Sequence, residues 1–370
     1  MELDGTQHHA RARMVLGHAL ETNTPSHAYL FHGPPGTGKR TAARAFAAEL
    51  LAHGSAEPDA VKLRVQHGAH PDLTWVKPTG AHVMRVGDVE EPVVAAAGRT
   101  PFEASRRVFV LERADTMNDE VANRLLKTLE EPAPFVHLIL LTDALGRVLE
   151  TVVSRCQLVR FDPLPADRIA EKLEADGIES ERALASGRLS LGNAARARYL
   201  ASDEGMSLRG EVERLVLDAL GAIHMEEPWR GLLLRAEERR EAAEAAVEER
   251  KRERLEQEPR GRERTAMERE FDDTAKRDGR RARTEVLELG LELAAIAFRD
   301  LVAHAAGAEA AVLGTDRIAD LAPAAEGRDP VKLREAAEAC EDTRSAFQLN
   351  VTEELALSAL TFRLRELVGA

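Results

Sequence analysis

Short apolar runs and helix-spaced apolar positions alternate along the first part of the chain. The runs have the length and composition of buried strands and lie at Ala28–Phe31, Leu73–Val76, Arg107–Leu111, Val136–Leu141 and Gln157–Phe161. Apolar residues recur at helical spacing from Ala10 to Thr22, from Ala42 to Leu51 and from Asn118 to Leu129. Because strands that alternate with helices pair through crossover connections, the pattern predicts a mostly parallel, three-layer α/β sheet.

The strand pattern ends at Pro165, and the rest of the chain has helical spacing. Short helical segments at Arg168–Leu173, Ser180–Ala185 and Asn193–Leu200 predict a small lid, and a larger all-helical domain follows. The predicted domains are therefore an α/β core at 1–163, a helical lid at 164–204 and a helical domain at 205–370. The last segment, from Leu355 to Leu367, is predicted to be a packing helix, because its leucines fall on one side: Leu357, Leu360, Leu364 and Leu367.

A segment at about 237–283 consists mainly of Glu, Arg, Lys and Ala. Such composition is typical of a solvated charged helix or a pair of helices. The other interpretation is an arm that contacts a partner or DNA through a cluster of basic residues, namely Lys276, Arg277, Arg280, Arg281 and Arg283. Both interpretations remain open at this point.

Composition narrows the class of protein. The chain has 370 residues, a formal net charge of −13, 4% aromatic residues and two cysteines, Cys156 and Cys340. Few aromatics and a net negative charge disfavour a stand-alone nucleic-acid binder. Two distant cysteines disfavour both a disulfide framework and a four-cysteine zinc site. With no apolar run long enough to span a bilayer, the expected location is the cytoplasm.

A glycine-rich loop between the first predicted strand and the following helix has the form of a phosphate-binding P-loop. Its glycines let backbone N–H groups face phosphate oxygens, and its lysine supplies a positive charge. The candidate nucleotide-binding residues are Gly33, Pro34, Pro35, Gly36, Thr37, Gly38, Lys39, Arg40 and Thr41. Arg40 stands where such loops carry the Ser or Thr that binds Mg²⁺. Thr41 comes one residue too late and is expected to point elsewhere on the helix.

A second departure follows the strand Arg107–Leu111. Active sites of this type place two acids there, one for Mg²⁺ and one that positions the attacking water. This chain has Glu112 and then Arg113, and an arginine cannot act as a base. Asp115 is a substitute only if it can reach back from beyond the strand end. The sequence therefore predicts a defective ATPase site with no good magnesium ligand set.

Five segments carry a resemblance to a known family: His27–Phe31, His70–Leu73, Asn123–Pro132, Ser154–Cys156 and Leu191–Ala197. With the P-loop, they resemble the clamp-loader family of AAA+ proteins, and more narrowly the delta-prime subunits of bacterial DNA polymerase III. The gamma/tau type of subunit keeps Asp-Glu after the strand and Ser or Thr after the P-loop lysine. This chain keeps neither, and it resembles the delta type less, because that type usually lacks both a good P-loop and Ser-Arg-Cys.

The resemblance implies roles for three further residues. Arg155 would be an arginine finger that reaches the nucleotide of a neighbouring subunit. Thr142 matches the first sensor position, and Arg196 matches the second sensor loosely. The resemblance also implies an AAA+ core, a lid and a helical collar. The implied partners are gamma/tau and delta subunits, a sliding clamp and, through the assembly, primer-template DNA, with no membrane.

The resemblance leaves the nucleotide chemistry open. Relatives often carry four zinc-binding cysteines before the His-Pro-Asp segment, but Leu51–Gly68 contains none, so no zinc is expected. The glycines and Lys39 survive, so a loop that binds ATP or ADP and a loop that stays empty both agree with the sequence. Two alternative functions remain: an active ATPase of the gamma/tau type, and a DNA-binding scaffold that keeps only the AAA+ shape.

Overall fold

The computed structural model describes residues 3–79, 83–256, 262–347 and 351–369. They fall into two compact units. The first runs up to Pro165 and includes Gly192–Ala194, and the second comprises Ala166–Leu191 and the chain from Ala195 onward. The finer division into core, lid and collar stays a prediction. In the described residues, no helix combines the length and the apolar character needed to cross a membrane.

The first unit is built on a five-stranded parallel sheet. Its strands are β1 Ala28–His32, β2 Leu73–Val76, β3 Arg107–Leu111, β4 Val136–Thr142 and β5 Gln157–Arg160. The spatial order is β2-β3-β4-β1-β5, and every pair is parallel. All five predicted strands are confirmed, with ends that agree to within one residue. Because the strands are parallel, the residues that follow β1, β3 and β4 meet at one edge of the sheet.

Helices cover both faces of this sheet, which confirms the predicted three layers. They are α1 Ala10–Glu21, α2 Lys39–Ala52, α3 Pro58–Gln66, α4 Val86–Val89, α5 Asp119–Glu130 and α6 Glu150–Val153. On β1, Tyr29 and Phe31 are buried with Phe46 of α2, whereas Leu30 faces the opposite core with Leu125 of α5. This alternation follows from the two-residue period of a strand.

After Pro165 the described residues form helices and turns, with no strand. The helices are α7 Ala166–Ala175, α8 Ser180–Leu189, α9 Ala194–Leu200, α10 Asp203–Ala219, α11 Arg230–Glu256, α12 Arg262–Ala305, α13 Ile318–Ala325, α14 Pro330–Ala346 and α15 Glu353–Val368. A single apolar core joins the larger of them. The predicted buried face of α15 is confirmed, since Leu357, Leu360 and Leu364 are buried and Leu367 is partly buried.

The charged segment 237–283 forms the end of α11 and the beginning of α12, and its residues 257–261 lie outside the described part. The two helices run antiparallel, because Arg283 contacts Glu237 and Lys251 contacts Asp272. The arrangement agrees with the pair-of-helices interpretation. Arg283 also bonds Glu353 of α15, so this residue of the predicted basic cluster has a role inside the unit. Lys276, Arg277 and Arg280 have exposed side chains.

Candidate nucleotide-binding site

The glycine-rich loop lies between β1 and α2, as the sequence predicts. Gly33, Gly36 and Gly38 have φ values of +145°, +74° and +92°, which side-chain-bearing residues rarely adopt. Gly38 is the N-cap of α2, so the loop leads directly into the positive end of that helix. A Cβ at Gly33 would lie 1.9 Å from the carbonyl oxygen of Phe161. The backbone of a phosphate cradle is therefore present, and only glycine fits its first position.

Lys39 points its ammonium group back onto this loop. Nζ lies 2.6 Å from the carbonyl oxygens of both Gly33 and Pro34 and 2.7 Å from Asp143 Oδ1. The side chain is 6% exposed, and burial lowers the pKa of Lys39, which the carboxylate of Asp143 partly offsets. A phosphate group that enters the loop would replace these oxygens as the partner of the ammonium.

The first departure from a working ATPase site, Arg40, is in contact with the acid that follows β3. Arg40, the residue after the P-loop lysine, places Nη2 2.9 Å from Oε1 of Glu112, the acid after β3. Trp75 of β2 donates its indole N–H to the same oxygen at 2.6 Å. Glu112 is 7% exposed, whereas 61% of the Arg40 side chain is exposed. The acid that would hold a magnesium ion is thus bonded to a cation of the chain itself.

Thr142, the predicted sensor residue at the end of β4, is brought to the same edge of the sheet. It is 1% exposed, and its hydroxyl donates to Asp115 Oδ1 at 2.9 Å. Asp115 lies in a short 3-10 turn, Ala114–Thr116, beyond the strand. Its contact with Thr142 puts a second carboxylate near the site, although Asp115 lies beyond the end of the strand. Arg113 sits between the two acids with a left-handed backbone, φ +56°, which is uncommon for a residue other than glycine.

Thr41 has an exposed side chain on α2. A Cβ at Gly5 would lie 3.0 Å from Thr41 Cβ and 2.6 Å from the backbone nitrogen of Ala42. The N-terminal segment therefore packs against the beginning of α2. His9, at the end of that segment, bonds the carbonyl oxygen of Thr37 through Nε2 at 2.7 Å.

Arg155 follows α6 and has a half-buried side chain. Its Nη1 donates to the carbonyl oxygen of Thr151 at 2.9 Å, and Nη2 lies 2.5 Å from Glu130 Oε1. The guanidinium is therefore held on two sides, with 35% of the side chain exposed. Burial raises the pKa of the neighbouring Cys156 to about 12, so this thiol stays neutral near pH 7 and serves packing.

Arg196 belongs to the second unit, where Nη1 bonds Glu292 Oε1 of α12 at 2.9 Å. The residue of the same motif that contacts the P-loop is Asn193. A Cβ at Gly36 would lie 1.8 Å from the Asn193 amide oxygen, so the two residues are in tight contact. Asn193 belongs to the first unit together with Gly192.

Sequence reasoning missed four contributors to this site: Trp75, Asp143, Asn193 and His9. Asp143 could have been found, because it directly follows Thr142 at the end of β4, where parallel strands bring their carboxyl ends together. The other three depend on side-chain packing between distant segments. Among the described residues, no group of three or more His, Cys, Asp or Glu side chains is arranged to hold a metal ion.

Comparison with known proteins gives a consistent result. The family model described as "DNA polymerase III, delta subunit" matches residues 8–165. The chain is 31% identical to DNA polymerase III subunit delta' of Bacillus subtilis over 55% of this chain and 63% of that protein. It is 32% identical to the protein of the same name from Pseudomonas aeruginosa over 56% of this chain and 67% of that one.

A more distant relative is the replication factor C small subunit 1 of Pyrobaculum arsenaticum. The identity is 31% over 40% of this chain and 42% of the relative. The chain matches 63% of the length of the Bacillus protein, which is less than two thirds of that relative.

Proposed function

This chain belongs to the family of DNA polymerase III delta-prime subunits, and from that premise we propose that it is a subunit of a replicative clamp loader. In this role it joins gamma/tau and delta subunits in the cytoplasm. The assembly opens a sliding clamp and places it on primer-template DNA during replication. The chain itself hydrolyses ATP weakly or not at all.

The observation that carries the non-hydrolysing role is the ion pair between Arg40 and Glu112, 2.9 Å long. Hydrolysis of a nucleoside triphosphate needs a metal ion to neutralise developing charge and a residue that positions water. In this chain a guanidinium bonds the metal-binding acid, and Arg113 stands at the water-positioning place. The same observation disfavours the alternative of an active gamma/tau-type ATPase.

Arg155 is the proposed contribution to catalysis, as an arginine finger for a neighbouring subunit. A guanidinium at the transferring phosphoryl group accelerates hydrolysis by about 10³–10⁵ in known cases. Two features support this role for Arg155. The carbonyl oxygen of Thr151 fixes one nitrogen at 2.9 Å, and 35% of the side chain is exposed. A fixed and accessible guanidinium loses little freedom when it meets a phosphate.

The test is a complex reconstituted with gamma/tau and delta subunits from the same source. We expect Arg155→Ala to lower its clamp- and DNA-stimulated ATPase rate by about 10²-fold or more, without loss of assembly on a sizing column. Arg160→Ala is the matched control, because Arg160 is also an exposed arginine with an acidic partner, Asp162, at 2.6 Å.

Equal activity of the Arg155→Ala complex and the wild-type complex would falsify the finger role. The non-hydrolysing role is tested separately with the pure chain alone. Measurable ATP turnover that disappears in Lys39→Ala would show that the chain is an ATPase in its own right.

A further inference from the structure

The residues at the places where a P-loop site carries its magnesium ligands are poorly suited to that ion. Mg²⁺ requires oxygen ligands in a near-octahedral shell. At the beginning of α2 the chain offers the guanidinium of Arg40, which has only hydrogen-bond donors. Three acids lie near this position, and each already has a partner. Glu112 is 7% exposed and is bonded by both Arg40 and Trp75. Asp143 pairs with Lys39, and Asp115 accepts from Thr142. The donor set does not fit magnesium, since the ion would have to displace Arg40 from a nearly dehydrated carboxylate.

The parts that bind phosphate are nevertheless preserved. The three loop glycines keep φ between +74° and +145°, and α2 begins at Lys39. Backbone N–H groups in this conformation, followed by a helix N-terminus, form an anion site. A defect confined to the metal position therefore leaves the cradle able to receive an anion.

Arg40 is placed to take part in that binding. Its side chain is 61% exposed, and the one ion pair described for it runs from Nη2 to Glu112. A guanidinium has five N–H donors in a planar fork, so it can bond a carboxylate through one edge and a phosphate through another. With Lys39 it gives the loop two positive charges.

A buried polar atom beside the same loop lacks a partner among the described residues. His9 is 5% exposed, and Nε2 bonds Thr37 of the loop, but Nδ1 has no hydrogen bond. Burial lowers the pKa of His9, so the ring is neutral near pH 7. Because Nε2–H is donated to Thr37, Nδ1 of the neutral ring is an acceptor. Buried polar atoms are normally paired, so Nδ1 can accept a hydrogen bond from an N–H or O–H group of a nucleoside, but not from a phosphate oxygen.

We infer that the loop Gly33–Lys39 binds the phosphate chain of a nucleoside diphosphate or triphosphate as the metal-free anion, with the Arg40 guanidinium in place of magnesium. The inference rests on the proposed function only for the identity of the loop as the nucleotide site. Its test uses the full chain alone and does not involve Arg155. Failure of the metal-free binding would therefore leave the finger role intact, and failure of the finger role would leave the metal-free binding intact.

Trp75 provides the readout, because it contacts Glu112 directly and Trp229 is the one other tryptophan of the sequence. ADP is titrated into the Trp229→Phe variant, once in the presence of EDTA and once with excess MgCl₂, while the fluorescence of Trp75 is recorded. Isothermal titration calorimetry repeats both titrations. We expect binding in EDTA, and magnesium should leave the dissociation constant unchanged or raise it. A parallel titration with pyrophosphate decides whether the nucleoside contributes, and Lys39→Ala should abolish binding.

Two substitutions of Arg40 make the test specific. Arg40→Thr restores a hydroxyl and releases Glu112, so we expect magnesium to tighten its binding of ADP by about fivefold or more. Arg40→Lys keeps the charge and should remain independent of magnesium. Circular dichroism checks that each variant is folded. Wild-type binding that magnesium tightens by about fivefold, or no binding of ADP by either method, would overturn the inference.

Discussion

Arg155 and Glu130 form an ion pair within the chain, with Nη2 2.5 Å from Oε1. Glu130 is the last residue of α5, and Arg155 lies just after α6. Both side chains are partly exposed, at 35% and 48%. Ion pairs of this exposure contribute about 0–1 kcal/mol to stability. The contact is strong enough to orient the guanidinium and weak enough for a phosphate to replace the carboxylate.

The first prediction separates a finger from a structural arginine. If Arg155 served only to pair with Glu130, then Glu130→Gln and Arg155→Ala would affect the complex equally. We expect Glu130→Gln to change the stimulated ATPase rate by less than about fivefold, because Thr151 still holds the guanidinium. The measurement is the steady-state rate of complexes that carry each variant. Equal losses in the two variants would contradict the finger role.

The second prediction concerns the attachment of the last helix in the second unit. Arg365 of α15 donates to both carboxylate oxygens of Asp218 at 2.8 Å. The Asp218 side chain is fully buried, whereas 27% of Arg365 is exposed. We expect Asp218→Asn to lower the free energy of unfolding by about 2–3 kcal/mol. The substitution removes the buried negative charge that pairs with Arg365, but the Arg365 guanidinium can still be solvated because it is partly exposed.

Urea unfolding of the full chain, followed by circular dichroism, measures this loss. Arg363 of the same helix provides the control, because it pairs with Asp342 at 3.2 Å while both side chains are more than half exposed. We expect Arg363→Ala to cost less than about 0.5 kcal/mol. A similar loss of unfolding free energy in both variants would show that the buried Arg365–Asp218 pair stabilises the protein no more than an exposed ion pair does.

The third prediction concerns pH. Asp72 is fully buried and accepts hydrogen bonds from the backbone nitrogens of Phe102, Glu103 and Ala104 at 2.6, 3.0 and 2.9 Å. Burial alone would raise the pKa of Asp72, but these three N–H groups and His70 together hold the pKa below its ordinary value. The native state therefore favours the charged carboxylate.

A lowered native pKa contributes stability above the unfolded pKa of about 3.9, and this contribution is lost as the pH falls through the native pKa. We expect Asp72→Asn to cost about 1.5–3 kcal/mol at pH 7. The difference from wild type should shrink as the pH falls below about 4. Urea unfolding at several pH values measures it, and a difference that stays constant down to acid pH would refute the explanation.

The order of elements around the candidate site could be predicted from the sequence. The three central strands, β3, β4 and β1, are nearly continuous apolar runs, because both faces of a parallel sheet are buried. The left-handed backbone of Gly33, Gly36 and Gly38 is a local property, and glycine supplies it. The strand, loop and helix of the P-loop therefore follow from residues that are close in sequence.

Contacts between distant segments could not be predicted in the same way. The sequence predicts that Arg40 and Arg113 each depart from a working site, but not that Arg40 bonds Glu112 at 2.9 Å. Likewise, the sequence predicts a sensor role for Arg196 but does not indicate that it bonds Glu292, 96 residues later. The motif places a residue on an element and leaves the direction of a long, flexible side chain undetermined.

The sequence by itself determined the α/β sheet and the glycine-rich loop between β1 and α2, because burial patterns and glycine conformations are encoded within short segments. That two catalytic groups are missing stays a prediction. Only the tertiary structure decided which group Arg40 contacts. It brings the end of β3 beside the beginning of α2, where the buried Glu112 bonds the partly exposed Arg40. Such a pair forms because a buried carboxylate must find a partner when it leaves water, and packing fixes which partner is within reach.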